Sequence, residues 1–128
     1  MKKHIVCIAS EQKGNDFLEE CHEAGWRVSL VTREKLLDEP WLWTSIDDVR
    51  TVPNEATTED YVRAVTNVAG SGRIDRVVGL DEFDVINAAK AREHLQLEGI
   101  GSFYALRFRD KLRMRRALLI SAGGRFSP

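Results

Sequence analysis

Three stretches, Ser10 to Asn15, Thr32 to Glu34 and Asp81 to Asp84, place acidic or polar side chains where an apolar run ends, the arrangement needed to hold a ligand at the end of a strand. Asp81, Glu82 and Asp84 follow Val77-Val78-Gly79-Leu80, and carboxylates converging there suit Mg²⁺ or an amine on a substrate. The same three residues also suit a helix start, with Asp81 capping and Glu82 and Asp84 facing its positive end. Ser10-Glu11-Gln12-Lys13-Gly14-Asn15 follows the first apolar run and stands where a dinucleotide loop would stand. A pyrophosphate loop needs several glycines for its tight turn and close approach, and an acid after the second strand for the ribose. Here Gly14 is alone and Thr32-Arg33 replaces the acid, so neither a nicotinamide nor a flavin dinucleotide is expected. No Walker A pattern occurs.

Residues 107–116 hold six cations, among them Lys111, against the single acid Asp110. No aromatic residues are interleaved for base stacking, so the run reads as a solvated face beside Phe108 and Leu112, with one or two cations available to a phosphate. Nucleic acid is not an expected partner. His4, Cys7, Cys21, His22 and His94 lack the short paired spacing of zinc ligands, and no metal site is expected. No glycines frame a serine or cysteine as a nucleophile elbow. Trp41 and Trp43 read as a plug over one end of a sheet.

These groups must be positioned by the surrounding pattern. Residues 4–10 predict a buried strand. Asp16 and Glu19 have capping-box spacing, Phe17, Leu18, Cys21 and Ala24 form an apolar helical face, and Gly25 ends the helix. Val28 to Val31 predict a second strand, completing a right-handed β-α-β unit. Within the irregular segment 33–56, Val49 to Val52 supply one short strand. Thr57 and Asp60 open a helix bearing Tyr61, Val62, Val65 and Val68, which Gly70-Ser71-Gly72 closes. Residues 76–80 predict a central strand and 82–95 a helix whose Ala88, Ala89 and Ala91 permit close approach to a sheet. A break at 99–101 precedes a last helix from about Ser102. This alternation predicts an α/β fold, a Rossmann-like three-layer open parallel sheet with a C-terminal helix.

The whole chain has 128 residues, is 43% hydrophobic and 30% charged, and carries a net charge of -1. It fits one ordinary domain, with no bulk charge to favour nucleic acid or an anionic membrane. The apolar stretch after Lys2-Lys3 ends too soon for a signal peptide, and nowhere are there about 18 successive apolar residues. No membrane partner is expected, and two cysteines set in apolar patterns fit reduced thiols and a cytoplasmic location.

Taken in order, these elements, the strand end Val77-Val78-Gly79-Leu80-Asp81-Glu82 and the later Phe108-Arg109-Asp110-Lys111-Leu112-Arg113-Met114-Arg115 resemble the start of an ATP-grasp protein, the superfamily that includes biotin carboxylase. The resemblance runs to about Leu119 and rests chiefly on Asp110-Lys111. It implies a pre-ATP-grasp domain over residues 1–101 and, over 102–128, a C-terminal helix and the start of the ATP-grasp region. It also implies an ATP-dependent carboxylate ligase acting through an acyl phosphate. Lys111 would reach ATP, Asp81 and Glu82 would face a small carboxylate substrate, and ATP and Mg would serve the complete enzyme.

Members of this superfamily continue into two lobes that clamp ATP and supply the Mg²⁺ carboxylates, and that pattern is lost after Ala122-Gly123. The expectation is a chain truncated before those lobes, without catalysis or tightly bound cofactor of its own, and able to form a homodimer through residues 102–120. The alternative is a stand-alone flavodoxin-like or receiver-like binding or regulatory module.

Overall fold

The computed structural model describes residues 2–96 of the chain. Strands β1 (His4–Ala9), β2 (Arg27–Arg33), β3 (Asp48–Val52) and β4 (Arg76–Gly79) alternate with helices α1 (Asn15–Glu23), α2 (Thr58–Ala69) and α3 (Glu82–Leu95). All strand pairs are parallel, in the order β3-β2-β1-β4. The expected Rossmann-like α/β sheet is therefore present.

The period of two along each strand divides the core between the two faces. Ile5, Cys7, Val28, Leu30 and Val78 pack with Phe17, Leu18 and Cys21 of α1. Val6, Ile8, Val31 and Val77 pack with Val65 and Val68 of α2 and Ala88 and Ala91 of α3. The sheet is thus sandwiched between helical layers, and each fully buried aliphatic side chain contributes on the order of 1.5–3 kcal/mol. Cys7 and Cys21 are free thiols wholly inside the first cluster, and burial pushes both thiol pKa values up, that of Cys21 to about 12.

Three expectations change. The capping box at Asp16–Glu19 does not form: Gly14, in the left-handed region at φ 88, is the N-cap of α1, and Asp16 lies within the first turn. The strand read as central, β4, ends the strand order among the described residues. Of the two tryptophans, only Trp41 enters the core, its Nε1 donating to Leu36 O at 2.9 Å, while Trp43 is 42% exposed. The second capping box does form, Thr57 and Asp60 exchanging both bonds, and Asp81 caps α3 through Phe83 N.

At the amino end of β1, His4 is buried. Its Nδ1 lies 3.1 Å from Arg73 O, and its Nε2 2.7 Å from Ser29 Oγ. A carbonyl only accepts, so Nδ1 carries the proton and Nε2 accepts from the Ser29 hydroxyl. Burial is the main cause holding the His4 pKa below its usual 6.5. A depressed histidine pKa gives stability that is complete above the unfolded value and declines as pH falls from there toward the folded value. The urea midpoint is expected to fall between pH 7 and 5.5 in the native sequence. The non-titrating His4→Gln is expected to lack most of that slope; an equal slope in both would remove His4 from the account.

Candidate functional site

In an open parallel sheet, ligands bind beyond the carboxyl ends of the strands, where neighbouring connections leave to opposite faces. That point lies between β1 and β4: the chain leaves β1 for α1 on one face and β4 for α3 on the other. Ser10 leaves β1 there, and Asp81 to Asp84 leave β4.

The two loops are joined by Asp84. Its Oδ2 accepts from Ser10 N at 2.7 Å and Ser10 Oγ at 3.0 Å, while its Oδ1 accepts from Asn87 Nδ2 at 3.2 Å. Asp84 is fully buried, and this burial pushes its pKa up, opposed by the Ser10 and Asn87 hydrogen bonds that favour the carboxylate. Asp84 lies in the first turn of α3 as expected, and it is the buried tie between β1 and α3. Glycine at 79 makes the tie possible, because a Cβ there would stand 2.6 Å from Val85 N and closer still to the Asp84 backbone.

Asp81 opens this loop, its side chain 10% exposed. Lys13 Nζ sits 3.1 Å from Asp81 Oδ2, and that bond is the largest cause holding the Asp81 pKa below the usual carboxylate value. Glu82 is exposed in the first turn of α3. The β4 end thus brings Asp81 and Glu82 together, while Lys111 lies outside the described residues, as do the C-terminal helix and residues 102–120.

Arg33, within the strand end Thr32 to Glu34, organises the neighbouring cleft. The register pairs Ala9 with Thr32, so the next residue of β2 stands beside Ser10. Arg33 Nε donates to Ser10 O at 2.9 Å, Nη1 to Asn54 O at 3.1 Å and Nη2 to Glu11 Oε1 at 3.0 Å. Asn54 Oδ1 in turn accepts from Lys35 N at 2.8 Å. These bonds fix the ends of β1, β2 and β3 around a cleft of about 530 Å³ whose walls include Ser10, Asn54, Tyr61, Phe83 and Asn87. Burial raises the Tyr61 pKa, with the Asp84 carboxylate adding to it, so the phenol stays protonated at neutral pH. Phe83, 77% exposed, is an apolar rim.

Amide, hydroxyl and guanidinium groups equip this cleft to orient a polar ligand. Among the described residues no three His, Cys, Asp or Glu side chains gather to hold a metal, and no described helix is long and apolar enough to cross a membrane. The spacing of Asp84 and Asn87 was the available sequence signal for the buried pair, since residues three apart share a helix face.

No family model matches the chain, and no curated protein matches it. Among solved structures, the fold resembles an L-amino acid ligase from Bacillus licheniformis, at 22% identity and a TM-score of 0.65, over 79% of this chain and 25% of that one. It also resembles a glycosyl transferase of family 9 from Veillonella parvula, at 19% identity and a TM-score of 0.54, over 80% of this chain and 33% of the other. The chain spans about a quarter of the length of the ligase and a third of that of the transferase. At these identities the likeness establishes a shared fold.

Proposed function

We propose that this chain is the substrate-side domain of an ATP-dependent carboxylate ligase of the ATP-grasp type, and that it does not catalyse ligation by itself. The observation that carries the reading is the acidic loop at the β4 end, set beside Ser10 at the switch point of the sheet. The fold shared with an L-amino acid ligase and the Asp110-Lys111 pattern in the sequence support it.

In this reading Asp81 and Glu82 meet a small carboxylate substrate that also carries an amine, whose cation competes with Lys13 for Asp81. An amino acid, the substrate class in the name of the similar ligase, has both groups. Lys111 meets the phosphates of ATP as a point charge. ATP and Mg²⁺ then serve the complete ligase, because phosphoryl transfer depends on positioning and on metal-assisted charge stabilisation. Asp84 and Arg33 hold the loops in place and take no part in the chemistry.

Calorimetric titration of the 128-residue chain with Mg-ATP, and in parallel with a nicotinamide dinucleotide, tests this reading. No stoichiometric heat is expected with either. Tight one-to-one binding of either would mean a complete nucleotide site within this chain, overturning the ligase-domain reading in favour of the stand-alone module.

A further inference from the structure

The opposite end of the sheet carries a second concavity, of about 390 Å³, formed where β1, β2 and β4 begin. Lys2, Lys3, Arg27 and Arg73 line it against the single carboxylate of Asp75. Elsewhere the described cations are largely matched: Lys13, Arg33, Arg50, Arg63 and Lys90 each meet a carboxylate. In the cradle only Arg73 does, its Nε 3.4 Å from Asp75 Oδ1. Lys3 Nζ lies 5.7 Å over the Trp26 ring, and Lys2 and the Arg27 guanidinium have no ion-pair partner among the described residues.

The wall of the cradle is firmly placed. His4 N donates to Asp75 Oδ2 at 2.9 Å, Asp75 N donates to His4 O at 2.8 Å, and the His4 ring holds Arg73 O. Gly72 lines the cradle beside the Arg27 guanidinium, whose Nη1 would stand in ordinary contact, at 3.4 Å, with a Cβ at that position.

Helix C-termini also point toward this end, and cations there complement the negative ends of helices. Those carbonyls, however, already have backbone donors. Ala24, Gly25 and Trp26 N–H groups close α1, and Gly70, Ser71 and Gly72 close α2. The cations therefore have no helix-end hydrogen bond left to make, and their donors remain available.

We propose that this cradle binds a small phosphorylated anion. A single carboxylate would leave most of the charge unmatched. A phosphate or diphosphate offers several anionic oxygens, for which the Arg27 fork supplies a bidentate contact and the lysines supply point charges. The concavity is the size of a small molecule, and the site is independent of the cleft at the carboxyl ends.

The test is an amide-shift titration of the full chain with sodium pyrophosphate at constant ionic strength. Saturable shifts confined to Lys3, His4, Arg27 and residues 72–75 are expected, with Ser10 and Asn87 unmoved. Arg27→Gln is expected to weaken binding at least tenfold. Arg73→Gln, at an 84% exposed side chain that tolerates exchange without unfolding, is expected to weaken it several-fold. A non-saturating drift matched by sodium chloride would overturn the proposal, leaving the cations as helix-end charges. Unchanged affinity in both variants would overturn it too. So would tighter binding of a single-stranded oligonucleotide with shifts beyond the cradle, which would make this a nucleic-acid surface.

Discussion

Gly79→Ala is expected to be among the most damaging single-methyl additions in the described residues, lowering stability by about 3 kcal/mol, the upper end of the usual cost of overpacking. The added Cβ would meet backbone atoms of Asp84 and Val85, the Val85 nitrogen at 2.6 Å. A flexible side chain could swing aside, but the first turn of α3 cannot. It is held by the Asp81 cap and by the Asp84 tie to Ser10. For a domain of this size that loss corresponds to a fall in Tm on the order of 15 °C. Gly72→Ala is the matched control, because its nearest neighbour is the tip of the Arg27 side chain at 3.4 Å. Its Tm is expected to stay within a few degrees of the parent. Equal melting of the two variants would mean that β4 and α3 do not approach so closely.

Asp84→Ala is expected to cost a similar amount by a different route. It removes the acceptor for Ser10 N, Ser10 Oγ and Asn87 Nδ2, and a buried donor left without a partner costs about 1–3 kcal/mol. Some of these donors regain water at the cleft, so about 3 kcal/mol is the expected total, read from urea unfolding at pH 7. Asp84→Asn separates shape from charge. Its Oδ1 still accepts from Ser10, and Asn87 can turn its own oxygen toward the new amide, so a loss of about 1 kcal/mol is expected.

The pH dependence follows from the direction of the Asp84 shift. Its folded pKa lies above the ordinary 3.8, so within the window from 3.8 up to that folded value the native state binds more protons than the unfolded chain. Stability attributable to Asp84 therefore falls as pH rises through this window. Asp84→Asn is expected to remove that component; an unchanged profile would show that the carboxyl is ordinarily solvated.

The sequence made the elements visible where one local signal dominated. The apolar run at Ile5 to Ala9, the Thr57 and Asp60 reciprocal cap, and Asp81 ahead of an alanine-rich helix all depend on neighbours within a few residues. The helix start at Gly14 was obscured because Asp16 and Glu19 imitate a capping box, whereas the chain uses a left-handed glycine packed near Leu80. β4 stands last in the strand order among the described residues, yet Val77 and Val78 are buried by α1 on one side and by α2 and α3 on the other, the burial that makes a strand read as central.

Of the candidate site, Asp81 and Glu82 were legible as a strand-end acidic pair. Arg33 was legible only as part of the strand end Thr32 to Glu34, because its contacts depend on the register that sets Thr32 against Ala9. Asp84 looked like its acidic neighbours in composition and differs from them only through burial, a property of the close approach at Gly79.

The two sealed thiols make the domain its own stopwatch. Cys7 lies on the inner strand β1 and Cys21 on the covering helix α1, both within one cluster and both 0% exposed. Since the thiolate is the reacting form and both are held as thiols, an alkylating reagent acts only on molecules that have opened. The ratio of uptake at the two positions separates lifting of the helix from loss of the whole sheet. Equal rates at both would identify global unfolding as the shared route, while faster uptake at Cys21 would measure how often α1 comes away alone.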